Sequence, residues 1–330
     1  MICDEKLLPY SVGGLLYTPA LNRTIVNKII NDEIPALTAL TFCLEDSIMD
    51  DSLEEAERQL KDSLERISSS GKAIAPLLFV RVRTPQHLKR IHCLLGEEEK
   101  VLTGYVLPKF DLTNANEYAK LINQINGELN NHKLYIMPIL ESQSIANIGA
   151  RVDVLWEIKS ILNSVKPYVL NIRVGGNDLS NMYGIRRTPN RSIYDCGVIR
   201  DILVNIVNVF ASDYVVSGPV WEYFESRTLD RQWEIGLRNE IELDLLNGFF
   251  GKTAIHPSQL PIIFDELKVS ENDYSDAMSI VNWQDSGLAV GKSDASRMNE
   301  VKCHSKWAEK ILVRAKIYGI KAINSAEKES

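Results

Sequence analysis

The sequence predicts an α/β protein: a closed (β/α)8 barrel of eight parallel strands, each followed by a helix, with a helical extension at the C-terminus. Three observations predict it. Short apolar runs bounded by turn residues alternate with longer stretches of helical character, the pattern of a parallel sheet with helical crossovers. Eight such units occur in succession, which is the number that closes a barrel. Charged residues follow most of the runs, and in a barrel all C-terminal strand ends meet on one face. A doubly wound open sheet is the alternative. It lacks support from any GxGxxG turn or GxxxxGK[ST] loop.

The first run, 15–18, is entered through Gly13 and Gly14 and closed by Pro19; a helix follows over 24–31. The second, 39–44, ends in Glu45 and Asp46. After it, 53–67 is amphipathic, with Glu54, Glu55, Glu57, Arg58 and Lys61 on its wet side. The third, 77–82, carries Arg81 near its end and Arg83 just beyond, and Pro85 is placed to open a helix to residue 95. The fourth, 104–107, leads to Pro108 and Lys109, then a helix over 114–129. The fifth, 134–140, meets Glu141 and Ser142, and the helical stretch 145–163 reads as two pieces.

The sixth run, 169–174, is mostly apolar and ends in Gly175 and Gly176 before Asn177 and Asp178. The glycines let the chain turn sharply and approach a ligand closely. The Arg-rich segment 183–195 is too long for an ordinary connection and precedes a helix over 198–210. The seventh run, 214–216, precedes Ser217, Gly218 and Pro219; a helix over 234–247 stops at Gly248. The eighth, 252–255, ends in His256 and Pro257, with a helix from Gln259. Beyond 267 the pattern changes to helices over 270–286 and 302–322 around a Gly/Ser-rich loop, 287–296. The expected division is a barrel over 1–268 and a C-terminal helical extension or lid over 269–330. The last helix carries an apolar stripe, Trp307, Ile311, Ala315 and Tyr318, expected to lie on the barrel or on a neighbouring subunit.

With 330 residues, 45% of them hydrophobic, the chain has ample core for such a domain. A net charge of −7 disfavours wholesale binding to nucleic acid or anionic membrane. No apolar run approaches a membrane span, and the acidic start is unlike a signal peptide. Five scattered cysteines with no CxxC pair read as reduced thiols rather than disulfides or a zinc site. A cytoplasmic protein is the expectation.

The strand ends together gather Glu45, Asp46, Arg81, Arg83, Lys109, Glu141, Asp178, Ser217 and His256. Glu141 and Asp178, each after a buried strand, suit Mg²⁺, which takes one or two carboxylates and leaves its other positions to water and substrate. The alternatives are that Asp178 caps a helix and Glu141 is a solvated loop acid. Arg81 could simply pair with Glu45 or Asp46, Lys109 could be a solvated surface lysine, and His256 could be a hydrogen-bonded structural residue. Trp156, Trp221 and Trp307 read as packing.

Eight stretches, in order and each at a strand end, carry a resemblance: LLYTPALNR (15–23), LEDSI (44–48), VRVR (80–83), VLPK (106–109), ILES (139–142), GGNDL (175–179), SGPV (217–220) and GKTAIHPSQ (251–259). The chain resembles the citrate lyase beta subunit and malyl-CoA lyase group, the HpcH/HpaI aldolase superfamily. Within it the chain looks like the divergent branch of carbon–carbon lyases from bacterial tellurium-resistance gene clusters. The resemblance implies a TIM barrel with Mg²⁺ (or Mn²⁺) held by Glu141 and Asp178, and a homo-oligomer, a trimer or a multiple of one. It implies Arg81 on the substrate oxygens, Glu45 and Asp46 near the metal, and Arg23, Lys109, Gly175, Gly176, Ser217, Pro219 and His256 lining or supporting the mouth. The chain departs from the family pattern at Val12-Gly13, where relatives have Arg-Ser, and at Gly176-Asn177, where Ala-Glu is common. Gly291, Lys292 and Asp294 echo a C-terminal family stretch only loosely.

The implied function is a Mg²⁺-dependent carbon–carbon lyase or aldolase acting through an enolate on a 2-oxo acid or a hydroxyacyl substrate, a CoA thioester among the candidates. Asp46, Asp294 and metal-bound water are candidate proton-transfer groups. Arg81, expected at the mouth rather than in the core, should matter to rate more than to folding. A non-catalytic barrel subunit that binds an acidic metabolite or a partner protein is the alternative. A third reading, a Mg²⁺ barrel acting on phosphoenolpyruvate or phosphosugars, lacks the glycine-rich phosphate loop late in the barrel.

Overall fold

The computed structural model describes residues 5–72, 76–129, 132–228, 230–283, 290–293 and 297–321. In chain order the elements are α1 (Leu8–Ser11), β1 (Gly14–Pro19), α2 (Ile25–Ile30), β2 (Ala39–Cys43), α3 (Leu53–Ser69), β3 (Leu77–Arg81), α4 (Pro85–Leu95), β4 (Gly104–Leu107) and α5 (Ala115–Glu128). There follow β5 (Tyr135–Leu140), α6 (Gln143–Ala146), α7 (Arg151–Ser164), β6 (Ile172–Val174), α8 (Gly176–Met182), α9 (Gly197–Phe210), β7 (Val216–Ser217), α10 (Gln232–Leu246), β8 (Lys252–Ala254) and α11 (Gln259–Glu266). The chain ends in α12 (Glu271–Val281), β9 (Val290–Ser293), β10 (Arg297–Glu300) and α13 (Val301–Tyr318).

Strands β1 to β7 pair in sequence order and all in parallel, and β8 pairs with β1 through Gly14↔Lys252 to Leu16↔Ala254. A parallel bridge, Gly218↔Lys252, joins the β7 side to β8 and closes the ring. The fold is therefore the expected (β/α)8 barrel. The helices bury their apolar faces against it. In α3 the residues turned inward include Ala56, Leu60, Leu64 and Ile67, one face at helical spacing. Pro85 opens α4 as expected, with Thr84 at the cap accepting a hydrogen bond from the His87 amide.

Several boundaries differ from expectation, for local reasons. The sixth strand begins only at Ile172, because Lys166–Tyr168 form a tight turn and Val169 touches the sheet through one bridge to Ile136. The seventh begins at Val216, because the amides of Asp213 and Tyr214 are tied back to the Phe210 carbonyl at the end of α9. The stretch 145–163 is indeed two helices, α6 and α7. The expected Gly/Ser loop at 287–296 instead contains β9, which pairs antiparallel with β10. Arg297 on β10 is held by Asp273 and Asp276 at 2.7 and 2.5 Å, which anchors that ladder to α12.

The chain divides into two compact units, Val12–Ile263 and a smaller one from the described residues of 2–11 and 264–330. In the smaller unit Val269, Ala277 and Ile280 pack with Ala308 and Ile311, with Trp307 and Ala315 against them. Within this unit Trp307, Ile311 and Ala315 of the α13 stripe thus pack towards α12. Tyr318, its last member, meets Phe264 edge-on and donates to the Tyr10 carbonyl. No helix among the described residues is long and apolar enough to cross a membrane.

Candidate active site

The strand ends enclose a cavity of about 180 Å³. Its wall is formed by Tyr17 on β1, Asp46 after β2, Arg81 on β3, Ile139 and Glu141 at the end of β5, and Arg173 and Val174 on β6. Gly175, Gly176, Asn177 and Asp178, with Val220, Thr253 and Ile255, complete it. Such a volume lies below the roughly 300–1,000 Å³ of drug-sized sites and suits a small metabolite.

Arg81 is the hub of the acidic side. Its Nη2 lies 2.5 Å from Glu45 Oε2, 2.8 Å from Asp46 Oδ2 and 3.9 Å from Glu141 Oε1. The guanidinium sits over the Tyr17 ring, 5.6 Å from its centre. Burial opposes the charge on Arg81, but Tyr17, Glu45 and Glu141 outweigh it and raise its pKa. Burial also raises Glu45, against the pull of Arg81. Asp46 is exposed at the rim, and its contact with Glu45 and the charge of Arg81 hold it below the usual carboxylate value despite partial burial. The ion pair that the sequence left as an alternative role for Arg81 is therefore present, on a residue that also lines the cavity. Arg81 is only 7% exposed, so the expectation that its charge stands clear of the core is corrected.

Glu141 is buried and fixed from two sides. Lys109 adopts a left-handed backbone conformation, φ 48°, costly for a side chain other than glycine. That conformation accompanies a hydrogen bond from the Lys109 amide to Glu141 Oε1 at 2.8 Å. Lys109 Nζ turns to Glu45 Oε1 at 2.7 Å, so it is more than a solvated lysine. On the other side Glu141 lies on Gly175, where an added Cβ would stand 1.8 Å from Oε2. Burial raises the Glu141 pKa to about 8; Arg81 works against this and Asp178 adds to it.

Asp178 occupies the first turn of α8, whose N-terminal cap is Gly175 without a side-chain bond. It is half-buried in the cavity wall and has no hydrogen bond or ion pair among the described residues. Its carboxylate is not spent on capping. Among the described residues no set of three or more His, Cys, Asp or Glu gathers at one point. Glu141 and Asp178 could offer a cation two carboxylates with open space beside them. That fits a hard cation completing its shell with water and substrate oxygens, and it does not fit zinc, which wants three or four nitrogen, sulfur or carboxylate ligands.

Other residues named from the sequence lie outside the cavity wall. Arg23 is on the surface, 3.0 Å from Glu55. Ser217 is buried within β7 and accepts from Asn171 Nδ2 at 3.1 Å. Pro219 packs beneath Gly176, where an added Cβ would come within 2.7 Å of it. His256 stacks on Phe224 at 4.7 Å and bonds Ser258 through Nδ1, the structural role held open for it. Trp221 is packing, its Nε1 donating to the Trp233 carbonyl. Asp294 lies outside the described residues.

Four polar lining residues were not among the candidates read from the sequence: Tyr17, Arg173, Asn177 and Thr253. Arg173 had a signal, since a charge inside an otherwise apolar buried strand is rare without a reason. The long segment 183–195 is also explained. Arg187 reaches Glu240 at 3.3 Å, the Ile193 amide donates to Glu240 Oε2, and Tyr194 donates to Asp244 Oδ1. Lys252 on β8 completes this buried cluster, 3.0 Å from Glu240 and 2.6 Å from Asp244.

The chain is similar over most of its length to several solved structures. One is a citrate lyase from Burkholderia xenovorans LB400, 15% identical with a TM-score of 0.71, covering 96% of this chain and 95% of that one. A second is CitE from Mycobacterium tuberculosis in complex with magnesium, acetoacetate and coenzyme A, 18% identical, TM-score 0.58, covering 92% and 98%. A third is a citrate lyase beta subunit from M. tuberculosis with oxaloacetate and magnesium, 19% identical, TM-score 0.51, covering 77% and 96%. At these identities the likeness speaks to the fold. No curated protein matches the chain in sequence. The family described as C-C bond lyase of the TIM-barrel fold matches residues 6–320, nearly the whole chain, and the protein belongs to that family of carbon–carbon lyases.

Proposed function

We propose that the protein is a Mg²⁺-dependent lyase that cleaves or forms a carbon–carbon bond in a 2-oxo acid or a hydroxyacyl substrate through an enolate. The observation that carries this reading is the pair Glu141 and Asp178 on one small cavity, with Asp178 uncommitted and Arg81 alongside. Glu141 and Asp178 would hold the ion, Mg²⁺ rather than zinc by their chemistry, with Mn²⁺ as the substitute. When bound, it supplies a Lewis acid and a template for the substrate's oxygens. Two of the similar structures were solved with magnesium, one with oxaloacetate and one with acetoacetate and coenzyme A.

The chain's own residues do the rest. Breaking a bond next to a carbonyl leaves negative charge on oxygen, and Arg81 offers a permanently ionised donor to it. Glu45, Asp46 and Tyr17 hold that guanidinium in place, so no reorganisation accompanies the charge as it develops. Asp46, ionised and at the rim, is the group assigned to proton transfer. Assembly as a trimer or a multiple of one goes with the family resemblance and draws no support from α13.

Calorimetric titration with Mg²⁺ tests the metal pair. Wild type should bind one ion, and Glu141→Gln and Asp178→Asn should each weaken it sharply. Exchange of the methyl protons of pyruvate into deuterated water, with Mg²⁺ present, tests enolate formation without the true co-substrate. Unchanged Mg²⁺ affinity in both variants, or no exchange across a panel of 2-oxo acids and acyl thioesters, would sink the reading.

A further inference from the structure

Arg83 stands just past the end of β3, two residues after Arg81, and lies outside the cavity wall. Its side chain reaches across to the segment that follows β2. Nε donates to the Leu44 carbonyl at 2.7 Å and Nη2 to the Ile48 carbonyl at 2.6 Å, while Nη1 pairs with Asp50. The two carbonyls bracket Glu45 and Asp46, the acids that hold Arg81. Inside the bracket the Ile48 amide closes a turn on the Glu45 carbonyl at 2.9 Å, and the Asp46 amide donates to Glu45 Oε2 at 2.9 Å.

Arg83 is itself fixed from behind. Its amide donates to His87 Nδ1 at 3.1 Å, so the other ring nitrogen, Nε2, carries the proton and donates to Glu57 Oε1 at 3.1 Å. Glu57 is buried, and its second oxygen accepts from Arg90 Nε and Nη2 at 3.0 and 2.7 Å. Arg83 thus ties the segment 44–50 to α4 and, through His87, to α3.

A guanidinium stays ionised and offers its N–H groups in fixed directions. Spread over two carbonyls four residues apart, that planar fork sets their separation as well as their place. Hydrogen bonds from a charged donor are about twice as strong as neutral ones. The Arg83 side chain is 21% exposed, which limits the competition from water.

We infer that Arg83 is a positioning residue: by fixing the backbone on either side of Glu45 and Asp46, it sets where these acids meet Arg81 and where Asp46 stands in the cavity wall. Its effect on rate rests on the enolate reading above; its effect on the segment does not.

Arg83→Met and Arg83→Lys are compared with wild type, alone and combined with Asp46→Asn. Three quantities are read: hydrogen–deuterium exchange of the amides in 44–50, exchange of the methyl protons of pyruvate into deuterated water with Mg²⁺, and unfolding in urea. In Arg83→Met the amides of Asp46 and Ile48 should exchange roughly 10-fold faster, the factor for losing a hydrogen bond to a charged group, while those of β4 and β5 keep their protection. Pyruvate exchange should fall on the order of 10²-fold, as for a misplacement of about 1 Å, with Mg²⁺ affinity retained. Arg83→Lys should recover part of both, since an ammonium supplies the charge without the fork. On the Asp46→Asn background Arg83→Met should cost little further rate, because residues that act through one another are not additive.

Unchanged exchange of the 44–50 amides in Arg83→Met overturns the proposal. So does a loss of rate that is equally large on the Asp46→Asn background, since Arg83 then acts by another route. Faster amide exchange throughout β3 to β5, with Mg²⁺ affinity lost in step, assigns Arg83 to the stability of the barrel and also overturns it. If wild type exchanges no pyruvate protons, the enolate reading fails and the urea titrations decide: coupled losses of stability in Arg83→Met and Asp46→Asn uphold the positioning role, and additive losses overturn it.

Discussion

Gly175→Ala is the smallest change that reaches the heart of this site. The backbone there has φ −87°, which any residue adopts, so the substitution strains no dihedral. Its whole effect is contact. The new Cβ would stand 1.8 Å from Glu141 Oε2, 2.5 Å from its Cβ and 2.8 Å from its Cδ, against a floor of 3.0 Å for real contacts. The oxygen must therefore retreat by about 1.2 Å, and the clash with Cβ means that rotating the carboxylate end alone does not suffice. Retreat also pulls Oε1 away from the Lys109 amide that positions it. Overpacking of this kind typically costs about 1–3 kcal/mol. A misplacement of about 1 Å at a reacting centre can reduce rate on the order of 10²-fold.

Gly176→Ala is the matched control. There the nearest atoms, on Ile193 and Pro219, are 2.7 Å from the new Cβ, so a shift of about 0.3 Å relieves them and Glu141 is untouched. Calorimetric Mg²⁺ titration and thermal melting of both variants provide the assay. Gly175→Ala should lose most of its Mg²⁺ affinity and melt lower, and Gly176→Ala should be milder in both. Gly175→Ala protein that binds Mg²⁺ like wild type would show that the Glu141 carboxylate is not held where the argument requires.

Three further outcomes follow from the buried charges. Arg81→Ala should reduce turnover about 10²–10³-fold, the range for losing an electrostatic donor; it should also lower stability by about 3 kcal/mol, because Glu45 is left buried with only Lys109 beside it. Denaturant melts that show no loss of stability would contradict the buried pairing. Lys252→Met should destabilise by about 3–5 kcal/mol, since Glu240 and Asp244 are left without their shared cation, and a two-state urea titration reads this directly. His92 should give a pH signature: the hydrogen bond it donates through Nδ1 to the Glu99 carboxylate, 2.8 Å away, raises its pKa above 6.5. Its contribution to stability is then full below about 6.5 and fades as pH rises through the higher folded value. His92→Gln should remove that segment of the stability–pH curve; an unchanged curve would refute the assignment.

The barrel was legible in the sequence because its cause is local and repeated. Apolar runs such as 39–44 and 104–107 can be satisfied only by burial on both faces, and the amphipathic stretches between them supply the cover. Glu141, Asp178 and Arg81 were legible for a related reason, as charges placed at the tips of such runs. Strand ends were less so: the start of β7 depends on how the last turn of α9 is tied to Phe210, which no run of residue types displays.

The sequence by itself determined the eight-unit barrel and the identity of the acids and bases at its C-terminal end, because each follows from residue type and order along the chain. Only the tertiary structure decided which of those groups face one another. It turned Arg23, Ser217 and His256 to other partners, packed the α13 stripe towards α12, and showed Arg81 already neutralised. The reason is that charge pairing and packing depend on distances between residues far apart in sequence, such as the 80 positions that separate Arg173 from Thr253.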